Sequence, residues 1–185
     1  MVRTDMIMAG YHNREDLTRD AIDKEGWFHT GDIGHLDEDG LLHITDRKGD
    51  MILTSGGESV APSPIEDLLR RDRFVEDVLL VGNGRPFLTA IVVPNQRALV
   101  SWGEKRKLDV SEPEVFCRSE KAAGLLLKRL RRHQARLAEF EQVKDVAVVL
   151  EPFSVAAGEL TPTYKKRRRV LEQRYHQLIE IMYAR

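Results

Sequence analysis

Val75-Glu76-Asp77-Val78-Leu79-Leu80-Val81-Gly82-Asn83-Gly84-Arg85-Pro86-Phe87-Leu88-Thr89-Ala90-Ile91-Val92-Val93 holds two apolar, β-branched runs on either side of a Gly-Asn-Gly-Arg-Pro reversal. Such residues suit a pleated surface and the Gly/Asn/Pro cluster suits a turn, so Val75 to Val81 and Phe87 to Val93 are predicted to pair as antiparallel strands. Upstream, Pro62 and Pro64 precede Ile65-Glu66-Asp67-Leu68-Leu69-Arg70. This predicts a short amphipathic helix with proline near its start, where a missing N–H costs little. Before it, Met51-Ile52-Leu53-Thr54 forms a short strand running into the Ser55-Gly56-Gly57 turn. Downstream, residues 95–120 are polar and helical in parts. From Lys121 to Phe140, Leu126, Leu130, Leu137 and Phe140 recur at helical spacing among many Arg and Lys, predicting an amphipathic helix with a solvated basic face. Val146 to Leu150 returns to strand, and Arg168 to Tyr183 closes with a helix. The class is α+β: a short hairpin and a mixed or antiparallel sheet covered by helices.

The N-terminal part has a different texture. Residues 1–25 are polar and poorly periodic apart from Met6-Ile7-Met8. From Trp27 to Thr45 an apolar run through Ile33, an Asp37-Glu38-Asp39-Gly40 turn and Leu41-Leu42-His43-Ile44 make a hairpin pattern. Asp46-Arg47-Lys48-Gly49-Asp50 follows as a polar break.

A chain of 185 residues suits one domain, or a small domain plus part of another. With 42% hydrophobic and 32% charged residues and a formal net charge of −1, it has the composition of a globular protein and no global field to attract nucleic acid or a membrane. The single cysteine, Cys117, excludes an internal disulfide and a Cys-rich zinc site, fits a reducing compartment, and lacks a constellation that would make it a nucleophile. No signal-like segment opens the sequence and no apolar run approaches the ~20 residues of a membrane span, so the expected location is cytoplasmic.

Two polar, glycine-bearing stretches invite chemistry: Thr30-Gly31-Asp32 and Gly158-Glu159-Leu160-Thr161-Pro162-Thr163-Tyr164-Lys165. On spacing alone the first is a turn and the second a loop before a helix. Yet a carboxylate such as Asp32 can accept hydrogen bonds from two vicinal hydroxyls, as acidic residues do with a ribose. A lysine on a loop, such as Lys165, can reach a phosphate as a mobile point charge. His29, Asp32, His35 and Asp37 are spaced like metal ligands, but strand alternation sets both histidines opposite Asp32, and a joint site would need a bulge; no metal is assigned. Asp37 to Gly40 lacks the frame of a calcium loop and is expected to be a hairpin turn. The basic run Lys165 to Arg169 has no interleaved stacking aromatics and is expected to be a solvated helix start rather than a nucleic-acid contact.

Taken in order, Gly26-Trp27-Phe28-His29-Thr30-Gly31-Asp32-Ile33-Gly34, Asp37-Glu38-Asp39-Gly40, Asp46-Arg47-Lys48-Gly49-Asp50, Ser55-Gly56-Gly57-Glu58, Pro64-Ile65-Glu66 and the loop ending at Lys165 resemble the C-terminal motifs of the adenylate-forming acyl-CoA synthetases. Leu160-Thr161-Pro162-Thr163-Tyr164-Lys165 resembles the long-chain fatty-acyl branch. The resemblance implies an ATP-dependent fatty-acid:CoA ligase: fatty acid and ATP give acyl-adenylate and pyrophosphate, then the CoA thiol displaces AMP. It implies that residues 1–45 are the end of a large N-terminal domain, 46–50 a hinge at Lys48 and Gly49, and 51–185 a mobile C-terminal lid. Asp32 would bind the ribose hydroxyls, Arg47 ribose or phosphate nearby, and catalytic Lys165 the carboxylate and α-phosphate of ATP. After rotation of the lid, Ser55, Gly56, Gly57 and Glu58 would line the CoA channel. ATP with Mg2+ would be held mainly by the large domain, which also carries the fatty-acid tunnel and any peripheral membrane contact. The chain alone is therefore expected to be inactive. Residues 1–25 are expected to be disordered or paired between molecules, with an exposed apolar edge at Trp27 to Ile33. The alternative is a non-catalytic interaction module with the lid fold.

Overall fold

The predicted strand pair is the spine of an α+β unit in the computed structural model, which describes residues 1–184. Residue 185, last of the expected lid segment, lies outside the described residues. The chain divides into two compact units, Met1–Met51 and Ile52–Arg185.

In the second unit β5 (Val75–Val81) and β6 (Leu88–Pro94) run antiparallel, with Val78 opposite Val92 and Leu80 opposite Ala90. β7 (Val143–Val148) lies parallel on the other side of β6, with Val146 opposite Ala90, so the sheet order is β5-β6-β7 and the sheet is mixed. A parallel neighbour needs a crossover. Three helices supply it: α3 (Gln96–Lys105), α4 (Pro113–Cys117) and α5 (Glu120–His133). Side chains alternate across a strand, so successive residues of β5 and β6 feed two cores. Val78, Leu80, Ala90 and Val92 pack with Leu69 of α2 (Pro62–Leu69), Leu99 of α3 and Leu126 and Leu130 of α5. Leu79, Val81, Ile91 and Val93 pack with Leu171 of α6 (Arg168–Arg174) and with Ile179 and Met182 of α7 (His176–Tyr183). Every residue of β6 is consequently buried, as a strand covered on both faces must be. A two-residue ladder, β3 (Ile52–Leu53) against β4 (Ser59–Val60), precedes α2.

Several boundaries differ from the sequence reading. The basic helix stops at His133 instead of reaching Phe140. Buried Gln134 caps it, and its Oε1 accepts the Val143 amide at 2.6 Å, which turns the chain into β7. Leu137 still packs on the core, from the turn, so apolar spacing alone overran the helix end. The last strand starts at Val143 and ends at Val148, earlier than expected. The closing helix is two helices broken at Tyr175. α2 begins at Pro62 and takes Pro64 into its first turn, where amides have no intrahelical partner.

In the first unit α1 (Glu15–Ala21) precedes a hairpin of β1 (Asp32–Leu36) and β2 (Leu42–Arg47). Residues 1–25 are therefore not disordered. Val2 and Phe28 exchange backbone hydrogen bonds at 2.8 and 2.9 Å, and the Asp23 carboxylate accepts the Trp27 amide at 2.9 Å. Asp37 builds the hairpin turn, its side chain accepting the Asp39 and Leu41 amides at 3.0 and 2.8 Å. The polar break also begins later than expected, since Asp46 and Arg47 still belong to β2. The exposed apolar surface includes Trp27 of the predicted edge but lies mostly further along the chain. Phe28 and Ile33 are half-buried, whereas Leu36, Leu41, Leu42 and Ile44 are 58 to 67% exposed.

Candidate functional site

Asp32 and Arg47 stand opposite each other at the open end of the hairpin, with Arg47 Nε 3.1 Å from Asp32 Oδ1. A bulge makes this pairing. Thr45 is an extra residue on β2, and its hydroxyl donates to the Ile33 carbonyl at 3.2 Å. Continuing the register of His35 with His43 without that residue would set Asp32 against Asp46, two carboxylates; the bulge presents Arg47 instead. Gly34 permits the close approach, because a Cβ there would sit 2.5 Å from the His43 carbonyl oxygen. Arg47 engages one Asp32 oxygen and leaves the other to accept elsewhere, which is the chemistry a diol needs.

The histidines go into local contacts. His35 stacks on His43 with centroids 5.4 Å apart, His43 bonds Asp37 at 2.5 Å, and His29 bonds Asp23 at 3.3 Å. The His43 bond, followed by the Leu41 amide, holds the Asp37 carboxyl below its ordinary range. Among the described residues no group of three or more His, Cys, Asp or Glu is arranged to hold a metal.

Lys165 lies in the second unit on a loop pinned at both ends. At its start, buried Glu159 accepts the Ser154 amide at 3.0 Å and Arg174 Nη1 at 2.9 Å, while its carbonyl accepts the Arg167 amide at 2.7 Å. At its end, Lys166 Nζ lies 3.1 Å from Glu66 and 2.8 Å from Asp77, and Arg168 pairs with Glu66 and donates to the Leu80 carbonyl at 3.0 Å. Glu66 also accepts the Leu80 amide at 2.8 Å, so one buried carboxylate ties the loop to α2 and β5. Between these anchors Thr161 and Lys165 close a turn, the Thr161 amide donating to the Lys165 carbonyl at 2.8 Å and the Lys165 amide to Thr161 Oγ1 at 3.0 Å. Tyr164 takes φ +60°, a left-handed conformation that disfavours a side chain. The Lys165 side chain is exposed, and its ammonium has no carboxylate partner among the described residues. Of two adjacent lysines, one is spent on the scaffold and the other is exposed, without a carboxylate partner among the described residues.

Ser55, Gly56, Gly57 and Glu58 form the turn between β3 and β4. The Thr54 hydroxyl donates to the Glu58 carboxylate, holding it below its ordinary range, and the Gly57 amide donates to the Thr54 carbonyl at 3.0 Å. Gly57 has φ +89°. The Ser55 amide donates to the Arg85 carbonyl at 2.9 Å, which sets this turn beside the Gly82 to Pro86 reversal. Lys48 and Gly49 lie in the first unit, in a 3-10 turn Lys48–Asp50 whose first amide donates to the Gly31 carbonyl at 2.7 Å. Gly49 is outside the left-handed region, with nothing within 4 Å of a would-be Cβ. Cys117 is fully buried, and burial pushes its thiol up, as suits a packed thiol.

The anchors Glu66, Asp77, Glu159, Lys166, Arg168 and Arg174 were missed by the sequence reading. A charged Glu66 between the core residues Ile65 and Leu69 was the one available sign, and its partners lie about a hundred residues away in the chain.

The family model for the AMP-binding enzyme C-terminal domain matches residues 49–185. The chain belongs to that family. Long chain acyl-CoA synthetase 2 of Arabidopsis thaliana is 34% identical to this chain over 186 residues, covering 99% of the chain and 28% of that protein. Long-chain-fatty-acid--CoA ligase 1 of Homo sapiens is 37% identical over 181 residues, covering 96% and 26%. Among solved structures, the A domain of a carboxylic acid reductase from Segniliparus rugosus, in complex with AMP and a co-purified carboxylic acid, matches 98% of the chain and 27% of its own with a TM-score of 0.83 at 26% identity. The chain thus spans less than a third of each of these relatives. No helix among the described residues is long and apolar enough to cross a membrane.

Proposed function

We propose that this chain is the C-terminal lid of an ATP-dependent long-chain fatty-acid:CoA ligase, cytoplasmic, and inactive without its large N-terminal domain. The observation that carries the reading is the state of Lys165: an ammonium with no carboxylate partner among the described residues, on a loop fixed on both sides by ion pairs to the buried carboxylates Glu66 and Glu159. In the first half-reaction a fatty-acid carboxylate oxygen attacks the α-phosphorus of ATP and pyrophosphate leaves. Lys165 offsets the charge that develops between carboxylate and phosphate. Asp32 accepts from the ribose hydroxyls, and Arg47 fixes that carboxylate while reaching ribose or phosphate. ATP's Mg2+ belongs to the large domain. In the second half-reaction the CoA sulfur attacks the acyl carbonyl and AMP leaves, with Ser55 to Glu58 lining the thiol's path after a rotation about Lys48 and Gly49. Segment 1–45 belongs to the large domain, which covers the exposed Leu36, Leu42 and Ile44 on one face of the hairpin.

The test is reconstitution. Mixing the chain with the matching large domain should restore acyl-adenylate formation from fatty acid and ATP, and Lys165→Ala should abolish the gain. Restoration that survives Lys165→Ala would replace the ligase reading with a non-catalytic interaction module.

A further inference from the structure

A basic cleft in the second unit is used by nothing above. It has a volume of about 410 Å³ and lies between α3, α5 and the Arg73–Phe74 turn. Arg73, Arg106, Lys128, Arg129 and Arg132 line it, and no carboxylate does. The helical repeat explains the wall. Leu125, Lys128, Arg129 and Arg132 fall at i, i+3, i+4 and i+7 and share one face of α5, flanking the core stripe Ala122, Leu126 and Leu130. Trp102 and Arg106 make the same i, i+4 step across the cleft at the end of α3.

The cations are held rather than scattered. Arg129 is committed to fully buried Asp72 at 2.8 Å, and its charge is thereby offset. Among the described residues Arg73, Arg106, Lys128 and Arg132 have no carboxylate partner, so they leave uncompensated positive charge in a concave site. Arg106 stacks over Trp102 at 4.9 Å, and Arg73 and Arg129 lie over Phe74 at 4.6 and 5.6 Å. Stacking occupies the face of a guanidinium and leaves its in-plane N–H groups free, and these match the paired oxygens of a phosphate. Like charges gathered in this way repel one another and favour a multivalent anion that neutralises them.

We propose that this cleft binds a ligand bearing a phosphate monoester or a short polyphosphate, with the edges of Arg73, Arg106 and Arg132 and the Lys128 ammonium as its donors. The assignment is independent of the ligase reading and uses no residue of the proposed active site.

The experiment titrates the 185-residue chain with inorganic tripolyphosphate by calorimetry, with a thermal shift alongside, and measures co-sedimentation with phosphatidylcholine vesicles containing phosphatidic acid or, at equal content, phosphatidylserine. Saturable tripolyphosphate binding with a raised Tm is expected. Arg106→Gln with Arg132→Gln should weaken it about tenfold or more, since charge-assisted hydrogen bonds are lost. Lys128→Gln alone should weaken it less, and removing two exposed arginines outside the cleft, Arg97→Gln with Arg136→Gln, should leave it within about twofold. All these side chains are exposed, and circular dichroism verifies folding. Tripolyphosphate binding without vesicle binding identifies a soluble ligand. A preference for phosphatidic acid that the cleft variants remove identifies a lipid headgroup, and either result supports the site. The proposal is overturned if millimolar tripolyphosphate and both vesicle types fail to bind, or if the control pair weakens binding as much as the cleft pair. Binding of a single-stranded oligonucleotide alone would assign the surface to nucleic acid instead.

Discussion

Glu66→Gln tests whether the buried ion cluster holds the Lys165 loop. Glu66 is 4% exposed and accepts from the Leu80 amide, Lys166 and Arg168. Glutamine keeps the shape and one acceptor but removes the charge and turns donor hydrogens toward another donor. An uncompensated charge from a broken buried pair costs about 3–5 kcal/mol. Here Lys166 retains Asp77 and Arg168 retains the Leu80 carbonyl, so the expected loss is about 2–4 kcal/mol. With an m-value of about 2 kcal/mol/M, the urea midpoint of the second unit should fall by about 1–2 M. Adding Arg168→Met should cost less than the sum of the single changes, because it removes the stranded cation. In the reconstituted mixture, assayed well below the transition, Glu66→Gln should slow adenylate formation more than thioester formation from supplied adenylate. A stability loss under about 0.5 kcal/mol, the size of a surface change, would refute the reasoning.

Gly34→Ala should disturb the first unit, since its Cβ would meet the His43 carbonyl at 2.5 Å; amide exchange at Ile33 to Thr45 should accelerate while the second unit is unchanged. Gly49→Ala should alter stability by less than about 0.5 kcal/mol, because its φ is ordinary and the space is open. If rotation carries Gly49 into the left-handed region, the same variant slows thioester formation alone. Burial raises the Asp72 carboxyl, but the Phe74 amide, His133 and Arg129 outweigh it and hold the group below its ordinary value. A depressed carboxylate contributes stability that is present above its unfolded pKa of about 3.9 and is lost as pH falls through the lower folded value. The second unit should therefore weaken on acidification below about pH 4, and Asp72→Asn should flatten that decline in pH-resolved denaturation.

The parts legible in the sequence were those set by local rules. Continuous β-branched runs marked β5 and β6, glycines and asparagines marked their reversal, and Asp37 to Gly40 formed the expected hairpin turn. The pairing of Asp32 with Arg47 was not legible, because it depends on an unpaired Thr45 that no periodicity reveals. The α5 end was missed because Leu137 is apolar for tertiary reasons while Gln134, polar and buried, terminates the helix through an amide nine residues on. Lys165 and Lys166 look equivalent in a basic run. What separates them is Glu66 and Asp77, brought close only when the sheet forms.

The anchored loop acts as a ruler. With Glu159 fixed at one end and Lys166 at the other, the intervening length decides which amine is presented. Substitutions at Pro162, Thr163 or Tyr164 change the decoration of the span and leave its count intact. Deleting any one of them shifts the register counted from Glu159, so that Lys166 is moved into the presented place and Arg167 toward Glu66 and Asp77, whereas inserting one residue would bring Lys165 to those carboxylates. The segment is therefore expected to tolerate a change of letter better than a change of length.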